Sequence, residues 1–231
     1  MLIYNVRMTN LHESDVDTVE SYIKKAFDII DRPDELWPNS IAEIVGVFIG
    51  VKPAALITTS MGDDLSKAIE SLGIQIAPVN TAENGWVIAK ESDVLISTRD
   101  ITERLRKLRD EYGPSYTDDH LERELGLAMG YPKTAIDQYI SRLKIHRLHD
   151  EWQAQPWTSE IPADVLGFMD FIPSRNHFSE EIDSYIKPIK KATRIYAPKA
   201  YSAIQQQAIG RAVARGTVNS DWSHFVWYLD T

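Results

Sequence analysis

Apolar residues follow helical spacing in some parts of the chain and form short uninterrupted runs in others. Between residues 16 and 30 they recur every three or four positions, which predicts an amphipathic helix. Residues 41–50 are apolar almost all round, which predicts a buried helix. The runs at 54–58 and 74–79 predict strands, and a helix beginning at Asp63 lies between them.

This strand–helix–strand unit predicts parallel pairing of its two strands through a right-handed crossover. Further strands are predicted at 86–89, 94–97 and 165–172, and helices at about 98–112, 179–191 and 197–214. Pro188 should kink or break the helix that contains it. We therefore expect an α/β fold, with a small mixed or mostly parallel sheet flanked by helices.

A helical hairpin is predicted at about 118–148, where two amphipathic patterns are joined by Gly130-Tyr131-Pro132. Gly126 precedes Gly130 by four residues and Ile136 follows it by six, a spacing typical of DNA-binding helix–turn–helix units. The second helix would then expose a set of side chains able to contact phosphates or base edges: Lys133, Thr134, Gln138 and Arg142. The acidic first helix favours the alternative, a purely structural hairpin with a positive φ angle at Gly130.

The composition is that of an ordinary globular protein, with 231 residues, 43% hydrophobic and 26% charged. A segment rich in Trp, Pro, Gln and Ser at 152–162 separates a region 1–150 from a region 160–231, and the two can belong to one domain. The chain contains no cysteine. Disulfides, thiolate nucleophiles, zinc–thiolate sites and iron–sulfur clusters are therefore excluded.

The N-terminal residues do not have the pattern of a signal peptide, and the longest nearly apolar run, 41–51, is interrupted by Glu43. A bilayer span needs about 20 apolar residues. We therefore expect a cytoplasmic protein with no membrane partner.

Charge is unevenly distributed: the net charge is −9, yet residues 187–215 carry seven basic side chains and no acidic one. A loop predicted at 173–177 lies before a helix start and offers two cationic or hydrogen-bonding side chains, Arg175 and His177. Together with Lys187, Lys190, Lys191 and Arg194 they form a candidate site for a phosphate-bearing anion. The alternative is a solvated helix face that balances an acidic neighbour.

Other chemistry is weakly indicated. His177 is a candidate general acid–base of an enzyme acting on a small phosphorylated or carboxylated metabolite. The loop 58–62 joins a strand to a helix but lacks the pattern of a phosphate-binding loop. His146 and His149 are three residues apart, yet no carboxylate motif accompanies them, so we expect no metal site. No cofactor motif is present, and we expect no cofactor.

Three short motifs resemble those of uncharacterised prokaryotic families that are assigned only as domains of unknown function. They are Glu124-Leu125-Gly126 followed by Gly130-Tyr131-Pro132, an upstream Lys52-Pro53-Ala54, and a downstream Phe171-Ile172-Pro173-Ser174. The resemblance implies an α/β domain and transfers no catalytic residue. The cysteines that such relatives often carry after the Gly-Tyr-Pro motif are replaced here by Lys133 and Thr134.

Taken together, the sequence favours a binding or regulatory protein for a nucleotide or nucleic acid. The metabolite enzyme and a DNA-binding helix–turn–helix protein remain as alternatives. The DNA-binding alternative also predicts a homodimer.

Overall fold

The computed structural model describes residues 13–79, 85–113, 116–148, 163–171, 173–174 and 176–215. In chain order the first elements are α1 (Glu13–Ile30), α2 (Pro38–Phe48), β1 (Ala54–Thr58), α3 (Asp63–Ser71), β2 (Gln75–Pro78) and β3 (Gly85–Ala89). They are followed by α4 (Ser92–Tyr112), α5 (Asp119–Ala128), α6 (Lys133–Leu148) and α7 (Ala163–Leu166). The last described elements are α8 (Phe178–Glu181), a π-helical turn (Ile182–Ile186), α9 (Lys187–Tyr196) and α10 (Pro198–Arg215).

The three strands form an antiparallel sheet in the order β1-β3-β2. Ala89 lies opposite both Ala54 of β1 and Gln75 of β2. The expected parallel pairing of β1 with β2 is therefore wrong. The two strands do run in the same direction, because both are antiparallel to β3, but β3 lies between them. The strand–helix–strand unit is thus split by the strand that follows it.

Both faces of this sheet are covered by helices. Ala55, Ile57 and Ile88 point into the core that α1, α2 and α3 build. Ala54, Val87 and Ala89 on the opposite face pack with Leu95 of α4. Burial on both faces explains why the strands are nearly continuous apolar runs rather than alternating ones. The broad prediction of an α/β arrangement is confirmed.

Two further strand predictions are wrong. Residues 94–97 belong to α4, which begins at Ser92 rather than near Thr98 or Asp100. A short run of apolar residues fits a buried strand or a helix turn equally well, and here the run continues into 21 helical residues. The strand predicted at 165–172 is also wrong. α7 ends at Leu166, and the described residues 167–171 do not form a strand. The segment 152–162 lies outside the described residues.

Pro188 is accommodated without ending the helix. The π-helical turn directly precedes α9, and Pro188 lies in the first turn of α9, where its missing N–H is tolerated. Helical geometry therefore continues from Phe178 to Tyr196, and the predicted break does not occur. The π turn directs Tyr185 and Ile186 into the protein, where both are buried.

The helices of the basic region pack on those of the N-terminal half. Ala192, Ala197 and Ala200 share one core with α1 and α2. The carboxylate of Asp31, just after α1, accepts hydrogen bonds from the backbone N–H groups of Lys199 (3.0 Å) and Ala200 (2.8 Å). Asp31 thereby satisfies the N-terminus of α10, and that helix end already holds an anion of the protein itself.

Candidate functional site

Lys52 lies between α2 and β1 and is fully buried, with a side-chain exposure of 0%. The backbone N–H groups of Val51 and Lys52 both donate to the carbonyl of Gly46 at 3.1 Å, which folds the chain back over the end of α2. A Cβ at Gly46 would stand 2.9 Å from Lys52 Cδ. The absence of a side chain at position 46 therefore gives the Lys52 stem its path across the helix.

The ammonium group at the end of that stem bonds to two carboxyl groups. Lys52 Nζ donates to Glu43 Oε2 and to Asp170 Oδ2. Glu43 lies three residues before Gly46, on the same face of α2, and Asp170 follows α7. Their side chains are 15% and 21% exposed, so the two carboxyl groups form the edge of the site that is closest to solvent.

Aromatic rings complete the surroundings of the ammonium group. Lys52 Nζ lies 5.3 Å from the ring centre of Tyr131 and 5.8 Å from that of Tyr185, distances at which a cation is attracted to a ring face. Phe171 packs against both tyrosines, with ring centres 5.6 Å and 5.2 Å apart. We call Lys52, Glu43, Asp170, Tyr131 and Tyr185 the lysine cluster.

Burial and charge shift the titration of the cluster. Burial alone would lower the pKa of Lys52, but Asp170 and Glu43 together outweigh it and raise that pKa. Burial, reinforced by Asp170, raises the pKa of Glu43 to about 8 in spite of the nearby ammonium. Burial also raises the pKa values of Tyr131 and Tyr185. Burial thus favours the protonated form of Glu43 and the neutral phenols, whereas the two carboxyl groups favour the ammonium form of Lys52.

The three motifs singled out in the sequence meet at this cluster. Lys52 begins the first motif, Tyr131 belongs to the second, and Phe171 begins the third. The turn between α5 and α6 reaches the first motif closely: Gly130 has a φ of 78°, and a Cβ there would stand 2.4 Å from Pro53 Cδ. Only glycine permits both this backbone conformation and this approach. Segments far apart in the chain thus converge on one buried lysine.

The anion site predicted at 173–177 is described only in part. The backbone N–H of Ser174 donates to Glu181 Oε2 at 2.7 Å, so a buried carboxylate of the protein already uses this donor. His177 has a half-exposed side chain, and its Nδ1 lies 3.5 Å from Glu180 Oε2. Arg175 lies outside the described residues. A role of His177 as general acid–base stays a prediction.

The other predicted anion-binding residues lie on α9, and they divide into two groups. Lys187 pairs with Asp183, and Lys190 pairs with Asp164. Lys191 and Arg194 are exposed and form no ion pair within the described part of the chain. The positive surface thus reaches solvent, although acidic side chains compensate part of it.

The two helices of the hairpin pack closely. A Cβ at Gly126 would stand 2.9 Å from Ile136 Cγ1, so α5 and α6 approach each other at this point. The residues of the hairpin that were predicted to contact nucleic acid differ in exposure: Lys133 is exposed, whereas Gln138 is half-buried. The hydroxyl of Thr134 instead donates to the buried Glu181.

Arg142 lies on α6, but its side chain is outside the described part. The acidic Asp137 on the same helix pairs with Arg123 of α5. This ion pair joins the two helices of the hairpin, and the nucleic-acid contacts stay a prediction.

A cleft of about 320 Å³ adjoins the loop 58–62 that the sequence raised as a ligand loop. Its charged lining includes Arg32, Glu35, Asp63 and Asp64, and Glu35 lies 3.4 Å from Arg32. The acidic side chains outnumber the basic one. An anionic ligand would therefore meet net repulsion in this cleft.

Within the described ranges, no group of three or more His, Asp or Glu side chains could hold a metal ion, and His149 lies outside them. No helix of the described part has the length and apolar character required to cross a bilayer. Cytoplasmic location and dimer formation stay predictions.

No family model matches the sequence, and neither a curated protein nor a solved structure matches it. The resemblance to uncharacterised prokaryotic domains therefore stays a prediction. The functional inferences rest on the geometry of this chain alone.

The lysine cluster was not predicted as a site, although Lys52 was noted within a motif. One signal was present: Glu43 interrupts the apolar run 41–51, and a lysine follows that run directly. A lone acidic residue in a buried helix needs a partner, and the adjacent lysine is the nearest in sequence. Nothing local marks Asp170, which reaches the cluster from 118 residues away.

Proposed function

We propose that the protein binds a phosphate-bearing ligand on the outward face of α9. Lys187, Lys191 and Arg194 recur there at positions i, i+4 and i+7, so their side chains lie along one face of the helix. The opposite face is buried through Ile189, Ala192 and Thr193. The observation that carries the proposal is the exposure of Lys191 and Arg194 without a carboxylate partner among the described residues.

The spacing favours a polymer over a single phosphate. Side chains three or four residues apart on a helix are about 5–6 Å apart at their Cβ atoms. A row of separated charges suits the repeated phosphates of a nucleic acid. Three phosphate contacts predict a modest salt dependence, with a slope of log K against log salt of roughly −2 to −3. The net charge of −9 opposes binding and keeps the expected affinity in the range of non-specific complexes.

The test is fluorescence anisotropy with labelled single-stranded and double-stranded oligonucleotides and a labelled nucleotide, at low and high salt. We expect binding to the oligonucleotides that weakens with salt, and a large loss of affinity in K191E/R194E. The matched control is K24E/K25E on α1, which makes the same change of net charge on exposed side chains elsewhere.

Equal losses in the two double variants would overturn the proposal, as would the absence of any salt-dependent binding by the unmodified protein. A selective loss in K133E would assign binding to the helical hairpin instead.

A further inference from the structure

The surroundings of the Lys52 ammonium have the composition of a receptor for an ammonium group. Two carboxyl oxygens accept hydrogen bonds from the ammonium, and two tyrosine faces lie within 6 Å of its nitrogen. We call Glu43, Asp170, Tyr131 and Tyr185 the ammonium cage. We propose that the ammonium cage is a binding site for a primary alkylammonium group, and that Lys52 is its resident ligand.

The shape of the site restricts the class of ligand. The stem of Lys52 crosses Gly46 so closely that one added carbon there would stand 2.9 Å from Cδ and 3.0 Å from Cγ. The backbone of α2 therefore leaves no room for a branch on this side of the stem. A compact ammonium with three donors serves the two carboxyl groups, whereas a planar guanidinium would need a wider, fork-shaped acceptor. The fitting ligand is an unbranched primary amine.

The four groups of the cage come from elements other than the Lys52 loop. Glu43 comes from α2, Tyr131 from the turn between α5 and α6, and Tyr185 from the π turn. Asp170 follows α7, so four separate elements each contribute one group. The aromatic contacts of Phe171 with Tyr131 and Tyr185 do not involve Lys52. These contacts hold two walls of the cage in place when the lysine is shortened.

Lys90 provides a comparison within the same chain. Its ammonium also lies over a ring, 5.7 Å from the centre of Phe48, but its hydrogen bond goes to the backbone carbonyl of that residue. No carboxyl group takes part in that bond. Removing Lys90 therefore opens a site with an aromatic face but without the paired acceptors of the cage.

The test is rescue of Lys52→Ala by an added amine. The substitution removes Cγ, Cδ, Cε and Nζ, which together correspond to n-propylammonium. We expect n-propylammonium chloride to raise the unfolding midpoint of K52A in a saturable, concentration-dependent way. The measurement is thermal unfolding at pH 7 and constant ionic strength. Methylammonium and pentylammonium should act less, and n-propanol should not reproduce the effect.

Three controls make the result specific. The unmodified protein and K90A should show only the small general effect of the salt, and K52A/D170N should lose most of the response. Equal midpoint shifts in K52A, K90A and the unmodified protein would overturn the proposal. If K52A is unfolded without amine, the readout becomes the folded fraction recovered on adding n-propylammonium. If n-propylammonium recovers no folded protein at any concentration, the proposal is also overturned.

A measurement on the unmodified protein adds an independent check. A caged ammonium exchanges its protons slowly, so a proton–nitrogen correlation spectrum selective for lysine ammonium groups should show one persistent signal. That signal should disappear in K52A and remain in K90A. The absence of a persistent signal from the unmodified protein would contradict a cage that holds the ammonium of Lys52.

Discussion

The side-chain stem of Lys52 lies against the backbone of Gly46, with Cδ only 2.9 Å from the place that a Cβ would occupy. Gly46→Ala should therefore destabilise the protein, although alanine is the better helix former by about 1 kcal/mol. The stem cannot move aside, because its ammonium is bonded to Glu43 and Asp170. We expect a net loss of about 1–2 kcal/mol in the free energy of unfolding, measured by urea denaturation.

Gly62→Ala is the matched control for this substitution. Gly62 has a φ of −83°, and a Cβ there would meet nothing within 4 Å. Its replacement should change the free energy of unfolding by less than about 1 kcal/mol. A Gly46→Ala protein as stable as the Gly62→Ala protein would show that Lys52 does not pack across α2.

Glu43 should make stability depend on pH. Its pKa is about 8 in the folded protein against 4.5 for an unperturbed carboxyl, so the folded state binds the proton more tightly. The resulting stabilisation is fully present below pH 4.5 and is lost as the pH rises through 8. Relative to Glu43→Gln, which cannot titrate, the unmodified protein should lose up to about 1.4 kcal/mol per pH unit between these limits.

The measurement is urea denaturation of both proteins at intervals from pH 5 to pH 9. Glu35→Gln is a suitable control, because the Glu35 side chain is 67% exposed. The stability difference between the unmodified protein and E35Q should stay constant over this range. A constant difference between the unmodified protein and E43Q would refute the protonated state assigned to Glu43.

Local pattern predicted the helices and strands better than their arrangement. The turn at Gly130 and the strands β1 and β3 were recognisable because periodicity, apolar runs and glycine are local signals. β1 pairs with β3 through residues that are at least 27 positions apart in the chain, the nearest pair being Thr58 and Gly85. No local residue encodes this pairing. The sequence pattern of a strand–helix–strand unit is the same whether its two strands are neighbours in the sheet or have a third strand between them.

The candidate site also combines residues that are close in sequence with residues that meet only in the folded chain. Glu43, Gly46 and Lys52 lie within ten residues and share one helix face and the loop after it, so their association is readable in sequence. Tyr131, Asp170 and Tyr185 join only when the chain is folded. The charge pattern alone predicts the basic surface of α9, and the pair of Asp183 with Lys187, four residues apart, is also a local feature. The pair of Asp164 with Lys190 depends on the fold.

Substitution of Gly126, like that of Gly46, should lower the free energy of unfolding. An added methyl group would stand 2.9 Å from Ile136 Cγ1 and 3.0 Å from its Cδ1, and Ile136 is only 4% exposed. Gly126→Ala should cost about 1–3 kcal/mol, because a packed core resists added volume. The double variant G126A/I136V should lose less than the sum of the single losses, as measured by denaturation. Strict additivity would mean that the two residues do not limit the approach of α5 to α6.

Lys52→Met should lower the free energy of unfolding more than the triple variant K52M/E43Q/D170N, in which the whole cluster is neutral. The substitution keeps the length of the stem but leaves the partly exposed carboxyl groups of Glu43 and Asp170 without the buried ammonium. Breaking a buried ion pair in this way typically costs about 3–5 kcal/mol. In K52M/E43Q/D170N no group needs a counter-charge, so part of that loss should return. Urea denaturation at pH 7 measures both proteins. If the triple variant is no more stable than K52M, the loss arises from packing around the stem, and the charges of the cluster do not govern its stability.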